Sequence, residues 1–173
     1  MKKVATDKST IDRSIKQLAD RDSAIVVIDV CSGETGTMAD WVVAFSEAWH
    51  APAQPDRIVA LLDDNITLRA PIKPPVTRGK EAARAGFERV FNAIPDLRGD
   101  VHRWGCNGDT VFIEMSFHAT VGGKPISWRN VDRILFKDGV AIERVAYFDP
   151  STLRRALTGS LRGMTQLWRL RRG

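Results

Sequence analysis

The chain has 173 residues, enough for one domain of ordinary size with a single core. Its apolar content of 43% and charged content of 27% are typical of a soluble globular protein. No run approaches the ~20 apolar residues that span a membrane, and no apolar segment follows Lys2 and Lys3 as it would in a secretory signal.

The net charge of +5 belongs to the C-terminal tail. Residues 151–173 hold six arginines and no acidic residue, whereas residues 1–38 hold six residues of each sign. The part between is therefore close to neutral, and the positive charge says nothing about a ligand of the body. No specific nucleic-acid partner is predicted.

The two cysteines, Cys31 and Cys106, have no metal-ligand spacing. We therefore expect a cytoplasmic protein with free thiols, no bound metal and no cofactor.

The N-terminal region is predicted to stand apart from the rest. Residues 9–20 are predicted to form a short helix, 24–30 a strand, and 31–37 a flexible connector. A new helical pattern begins at Met38. We therefore expect residues 1–37 to be an extension that folding does not require.

Three helices and a short strand are predicted next. The first helix begins near Met38 and ends before Pro52, with Trp41, Phe45, Ala48 and Trp49 on one apolar face. "QPDRIVALLDDN" predicts a second, short helix with Asp56 as its N-terminal cap. "ITLRAP" reads as a short strand and "IKPPVTRG" as a loop. "GKEAARAGFERVFNAIP" predicts a third helix, whose apolar stripe contains Ala83, Phe87, Val90, Phe91 and Ile94.

Strands alone are predicted after that helix. "RGDVHRWGCNG" leads into strands at 109–121, 127–136 and 140–149, and the turns at 122–125 and 137–139 are hairpin signals. The order of elements predicts an α+β fold in which helices cover one face of a curved antiparallel sheet.

The strand "SWRNVDRILF" places a carboxylate, Asp132, on the same face as Trp128, Asn130 and Ile134. If that face is buried, burial disfavours the charged carboxyl and keeps it ready to donate a proton. The alternative is a scaffolding ion pair with Arg129, Arg133 or Arg144. The sequence leaves both open.

The tail, residues 151–173, mixes leucines with its arginines. It could form a basic amphipathic helix for a membrane surface or nucleic acid, although Gly159 and Gly163 weaken a helix. The favoured expectation is a partly ordered tail that packs its leucines on the body.

Residues 38–150 resemble the SnoaL-like polyketide cyclases of the nuclear-transport-factor-2-like superfamily. The resemblance is carried by "FSEAWHAPAQPDRIVALLDDNITLRAP", "GKEAARAGFERVFNAIPDL" and "VDRILFKDGVAIERVAYFDP". It implies a cone-shaped half-barrel, closed by N-terminal helices, that encloses an apolar cavity and often dimerises through the outer sheet face. Fold alone does not give activity.

The resemblance also implies site residues. Asp132 lies where the related steroid isomerases keep a buried acid, and Asn130 and Arg144 are the polar neighbours expected to polarise an oxygen. The expected cavity wall is Trp41, Phe45, Trp49, Phe87, Phe91, Met115, Phe117, Trp128 and Phe148. The same register places four polar residues on an outer face that is expected to form a homodimer: Glu114, His118, Arg129 and Glu143. Because His118 then points away from the cavity, a structural role is favoured for it over a catalytic one.

Departures from the related enzymes limit the prediction. Ala70 replaces the carboxylate base of the steroid isomerases, and Met115, Phe117 and Ala146 replace charged residues of the limonene-epoxide hydrolases. Three hypotheses remain. The first is proton-transfer catalysis (cyclisation, isomerisation or dehydration) on a small hydrophobic carbonyl or polyketide-like compound. The second is non-catalytic binding of such a ligand, and the third is a dimerisation module with a filled cone.

Overall fold

One sheet and five helices make up the part of the chain that the computed structural model describes, residues 26–27, 35–50, 54–72 and 76–171. The helices are α1 (Thr35–His50), α2 (Pro55–Val59), α3 (Lys80–Ala93), α4 (Ser151–Thr158) and α5 (Leu161–Arg171). The strands are β1 (Val26–Val27), β2 (Leu62–Arg69), β3 (Val76–Arg78), β4 (Arg98–Asn107), β5 (Thr110–Val121), β6 (Lys124–Lys137) and β7 (Val140–Tyr147).

The sheet has seven strands in the order β1-β4-β5-β6-β7-β2-β3. Strands β4 to β7 form the predicted antiparallel meander. Its β5–β6 and β6–β7 turns place Gly122, Gly123, Asp138 and Gly139 at positive φ, as two-residue hairpin turns require. Strand β2 runs parallel to β7, and β1 runs parallel to β4. The sheet is therefore mixed, whereas an antiparallel sheet was expected.

Alternation along the long strands separates an inner from an outer face. On β5 every second residue from Val111 to Val121 is buried, whereas the residues between them are half-buried or exposed. On β6 the inner positions include Asn130 and Asp132, which stand opposite Met115 and Ile113 of β5. The predicted assignment of faces is therefore confirmed.

Helices α1 and α3 cover the inner face. Their apolar stripes are buried as predicted, with Phe45 and Trp49 of α1 and Phe87 and Phe91 of α3 in the core. The fold is the expected α+β half-open cone, with its core between the sheet and these helices.

Several local predictions were wrong. Helix α1 begins at Thr35, inside the expected connector, because three further residues continue its helical turns before Met38. Asp56 lies within α2 and pairs with Arg84, while Gln54 occupies the cap position without a side-chain hydrogen bond. The segment expected to be a loop contains β3, whose residues pair with the end of β2. The strand expected in "ITLRAP" begins earlier, at Leu62.

Two predictions concern the N-terminal extension. Residues 9–20 lie outside the described residues, so the helix expected there stays a prediction. Within the expected strand at 24–30, Val26 and Val27 pair with Arg103 and Trp104 at the edge of β4.

Cys106 is disulfide-bonded, so the expectation of free thiols is wrong for this residue. The other cysteine, Cys31, lies outside the described residues. The argument for a cytoplasmic location drew on free thiols and loses that support.

The tail is helical in its described part. Asp149 receives hydrogen bonds from the hydroxyl and backbone N–H of Ser151 at the start of α4, 2.7 and 2.9 Å long. These bonds, together with Arg155 and Arg154, hold the pKa of Asp149 below its ordinary value. Leu157 is buried, and Leu153, Leu167 and Leu170 pack against the core. The expected contact of tail leucines with the body is therefore confirmed. The described part of the tail forms two ordered helices and not the partly ordered segment that was expected.

Two features are absent from the described residues. No helix there is both long and apolar enough to cross a membrane. In the same part of the chain, no group of three or more histidine, cysteine and acidic side chains is placed to hold a metal ion.

Candidate functional site

The large side chains expected to line a cavity instead contact one another. Trp41 stacks on Phe45 with ring centroids 5.0 Å apart, and Phe45 lies 6.2 Å from Trp49. The ring of Trp49 meets the edges or faces of Phe87, Phe91 and Phe117 at 5.0–6.0 Å. The aromatic packing thus occupies much of the interior between the helices and the sheet.

The aromatic contacts continue toward one end of the sheet. Phe117 lies 5.4 Å from Trp128, and Trp128 lies 6.4 Å from Phe148. Trp128 and Phe148 are only partly buried, whereas Met115 is fully buried. The row of rings therefore runs from the deep core to a more open end of the cone.

Asp132 lies at the bottom of this interior and forms an ion pair. Its side chain is fully buried at 0% exposure, and Arg144 Nη2 donates a hydrogen bond of 2.7 Å to its Oδ2. The other two arginines considered from the sequence have outer-face partners: Arg133 pairs with Glu143, and Arg129 with Glu114. Of the alternatives left open by the sequence, the structure shows the pair with Arg144.

Aromatic rings surround the cation of this pair. The guanidinium carbon of Arg144 lies 5.5 Å from the ring centre of Phe45 and 5.2 Å from that of Trp49. Ring faces attract a cation at this distance, by about 0.5–2 kcal/mol. Arg144 is thus held from two sides, by the carboxylate of Asp132 and by the α1 rings.

Six buried side-chain atoms around this pair have no hydrogen-bond partner among the described residues. They are Trp49 Nε1, Trp128 Nε1, both amide atoms of Asn130, Asp132 Oδ1 and Arg144 Nε. We call these five residues the interior polar cluster. Folded proteins pair nearly all buried polar atoms, and an unpaired one costs about 1–3 kcal/mol. This group of unpaired atoms makes the cluster the candidate site for a polar group of a ligand.

The cluster comes from three elements. Trp128, Asn130 and Asp132 occupy successive inner positions of β6, and Arg144 comes from the neighbouring strand β7. Trp49 of α1 lies against the guanidinium of Arg144. The tryptophans are the residues that sequence reasoning assigned only to an apolar wall. Their polar role could have been anticipated, because a buried indole N–H usually has a partner. Trp41 has one already, since its Nε1 donates to the carbonyl of Leu61 at 2.8 Å.

Two cavities lie at the open end of the cone and not around Asp132. The larger, about 370 Å³, lies between the β5–β6 turn and α4, and its lining includes Val121, Ile126, Arg155 and Ala156. The smaller, about 290 Å³, includes Asp96 and His118 on the outer side. Neither cavity is lined by the interior polar cluster. Ile126 is, however, the inner-face neighbour of Trp128, so the larger cavity begins next to the cluster.

The chemistry of the interior polar cluster follows from its donors and acceptors. Two indole N–H groups, an amide and the Nε–H of Arg144 offer hydrogen bonds, and Asp132 Oδ1 and Asn130 Oδ1 accept them. Preorganised donors beside a fixed cation stabilise an oxygen that gains negative charge. Arg144 binds Oδ2 of Asp132 and leaves Oδ1 of the same carboxyl as an unpaired acceptor.

The chain has a cone-shaped fold of the nuclear-transport-factor-2-like, ketosteroid isomerase-like type. A protein with a ketosteroid isomerase-like fold from Catenulispora acidiphila DSM 44928, in complex with trimethylamine, is 17% identical and superposes with a TM-score of 0.62. The match covers 71% of this chain and 95% of that one.

Two further solved structures are similar. A candidate polyketide cyclase from Bacillus cereus ATCC 10987 is 19% identical with a TM-score of 0.64, covering 76% of this chain and 89% of that one. The protein TerC, co-crystallised with polyporic acid, is 13% identical with a TM-score of 0.62, covering 69% and 97%. At these identities the likeness shows the fold alone.

The chain belongs to the SnoaL-like domain family, whose model matches residues 42–144. This match spans every member of the interior polar cluster. No curated protein matches the chain.

Proposed function

We propose that the interior polar cluster binds the oxygen of a small, largely apolar carbonyl or polyketide-like compound. The observation that supports this most directly is the set of unpaired buried atoms at Trp49, Trp128, Asn130, Asp132 and Arg144. The aromatic side chains around them offer flat apolar surface for the rest of the ligand. The names of two structural relatives, a candidate polyketide cyclase and a protein crystallised with polyporic acid, agree with this class of compound.

A ligand would enter from the more open end of the cone. The cavity of about 370 Å³ under α4 ends at Ile126, beside Trp128. Trp128, whose ring lies 6.4 Å from that of Phe148, is the next inner position of β6 after Ile126 and precedes Asn130 and Asp132. Entry therefore requires these two partly buried rings to move, and binding should change the fluorescence of Trp128.

The proposed chemistry is proton transfer next to a carbonyl. Asp132 Oδ1 takes a proton from the carbon beside the carbonyl, and the electrons of that C–H bond pass to the carbonyl oxygen. Donors on Arg144 and Asn130 stabilise the resulting enolate. Return of the proton to a different carbon isomerises the compound, and return to the same carbon exchanges its hydrogen with water.

An aromatic ketone such as 2-tetralone is a suitable probe of ligand binding and of α-hydrogen exchange. Binding is measured by tryptophan fluorescence, and exchange of its α-hydrogens in D₂O by proton NMR. The proposal expects saturable binding that is lost in Asn130→Leu, which keeps the size of the side chain and removes its polar atoms. Absence of binding, or binding that Asn130→Leu leaves unchanged, would contradict it.

Non-catalytic binding is the second candidate function, and the ion pair favours it. Asp132 already accepts a hydrogen bond from the guanidinium of Arg144, and no second ionisable group besides Arg144 belongs to the described cluster. Binding of 2-tetralone with α-hydrogen exchange no faster than in buffer would assign the protein to this second function.

We also propose that the outer sheet face forms a homodimer. Phe112 of β5, Val131 of β6 and Tyr147 of β7 are exposed there, and Val131 stands opposite Tyr147 in the β6–β7 register. Charged groups flank them: Glu114 pairs with Arg103 at 2.9 Å. Exposed aromatic and aliphatic side chains among paired charges fit a symmetric interface.

His118 belongs to the same outer face and not to the interior. Its Nε2 lies 3.2 Å from Asp100, which also contacts His50 at 2.9 Å, and the third histidine, His102, contacts Ser116 at 2.7 Å. These contacts support the structural role expected for His118.

A further inference from the structure

The outward face of helix α5 is apolar, although the helix packs its opposite face on the body. Leu161, Met164 and Trp168 are 85%, 56% and 51% exposed. Their spacing of three and four residues places them on one stripe of the helix, which we call the outer tail stripe. Exposed side chains of this size in a row mark an interaction surface.

The orientation of α5 is fixed by contacts on its other side. Gln166 donates from Nε2 to the carbonyls of Ala93 and Thr120, at 3.1 and 3.2 Å, and its Oε1 accepts from the backbone N–H of Gly122 at 2.8 Å. Leu167 and Leu170 pack against the core. Because these anchors tie one face of the helix to the body, the outer tail stripe points away from it.

Every charged residue of α4 and α5 is positive. Arg162, Arg169 and Arg171 are exposed on the same helix, and the tail has no acidic residue. Arg154 and Arg155 add two exposed cations on α4. We infer that α4 and α5 dock on an anionic lipid bilayer, with the outer tail stripe inserted at the headgroup boundary and the arginines on the lipid phosphates.

Other occupants fit this surface less well. A second copy would bring its own arginines against these, and like charges repel. A nucleic acid would use the arginines, but it gives no apolar contact to Leu161 and Met164, which are the most exposed members of the stripe. A bilayer surface satisfies both the apolar and the cationic parts.

Sedimentation with vesicles tests the inference. The full chain should sediment with vesicles of phosphatidylcholine and phosphatidylglycerol, bind phosphatidylcholine alone much more weakly, and lose binding as salt screens the charges. Leu161→Gln/Met164→Gln should weaken binding at least about tenfold, with an unchanged melting temperature because both side chains point outward. Trp168 also makes contacts within the chain and is therefore left in place. The matched control is Ile72→Gln/Val140→Gln, which removes exposed apolar side chains elsewhere.

The charge contribution has its own matched pair of variants. Arg162→Gln/Arg169→Gln should lower the vesicle partition coefficient about fivefold per arginine removed. Arg57→Gln/Arg78→Gln removes the same charge from exposed positions on α2 and β3, outside the tail, and should change it far less. Absence of binding to the anionic vesicles, or binding that survives the stripe substitutions, would overturn the inference. Retention of the chain by a DNA duplex and not by vesicles would assign the arginines to nucleic acid instead.

Discussion

Replacing Asp132 by Asn tests whether the buried ion pair stabilises the fold. Asn keeps the shape of the side chain and removes its charge. In the folded protein Arg144 would then keep its positive charge in an interior where its carboxylate partner, 2.7 Å away, has been lost. We expect a large loss of stability, because an uncompensated charge is costly to bury.

The magnitude follows from burial and from the remaining partners of the cation. Asp132 is fully buried and Arg144 is 8% exposed, so solvent screens the pair little. Breaking a buried pair by removing one partner costs about 3–5 kcal/mol. The rings of Phe45 and Trp49 still attract the guanidinium, which places the expected cost near the lower end, about 3 kcal/mol. For a chain of this size that lowers the melting temperature by about 6–12 °C.

The assay is urea and thermal unfolding at neutral pH, with an exposed pair as the matched control. Asp64 pairs with Lys80 at 3.2 Å on the surface, so Asp64→Asn should cost less than about 1 kcal/mol. The double variant Asp132→Asn/Arg144→Met should cost less than the sum of the two single variants, since each single variant leaves one charge buried alone. A loss at Asp132→Asn no larger than at Asp64→Asn would refute the ion-pair reasoning and restore the neutral pocket acid.

Four further outcomes are expected. A chain beginning at Met38 should melt cooperatively under reducing conditions, since β1 contributes only two paired residues. A chain beginning at Thr35 serves as its control because it keeps α1 whole. Aggregation of both chains would make the extension part of the fold. Light scattering should give twice the chain mass of 19.2 kDa, and Tyr147→Lys should halve it, whereas a monomeric parent chain would rule out the dimer. Burial opposes ionisation of Asp96, but hydrogen bonds from Thr120 outweigh burial, and the pKa of the carboxyl is lowered. The stabilising contribution of Asp96 is therefore complete above about pH 4 and is lost as the pH falls through the folded pKa. Asp96→Asn should flatten the acid dependence of the urea midpoint, and an acid dependence equal to that of the parent chain would contradict this prediction. Gly163→Ala should loosen the tail, because its added carbon would lie 2.5 Å from the carbonyl oxygens of two α4 residues, and an unchanged melt with unchanged proteolysis of the tail would argue against that contact.

Local patterns in the sequence were sufficient for most of the elements. The apolar stripes of α1 and α3 bury the residues that their spacing indicated, because a helix repeats every 3.6 residues and can turn only one stripe to the core. The inner positions of β5 and β6 followed from alternation in the same way. The β5–β6 and β6–β7 turns were recognisable because they need positive φ, which Gly122, Gly123 and Gly139 provide.

Errors arose where distant parts of the chain decide a local structure. Strand β3 has three residues and no periodic pattern of its own, so only its pairing with β2 makes it a strand. The parallel pairing of β2 with β7 joins segments that are far apart in the sequence. Such pairing leaves no mark in either segment alone.

The sequence by itself determined the α+β order of elements, the face of β6 that carries Asp132 and the cationic tail, because these depend on composition and on short-range periodicity. Only the tertiary structure showed that Arg144, on the neighbouring strand β7, is the partner of Asp132, whereas Arg129 and Arg133 of β6 itself pair with carboxylates of the outer face. It also brought Trp49 of α1 against Arg144 of β7 and turned one face of α5 outward. These arrangements depend on how separate elements pack together, and packing is a property of the whole chain.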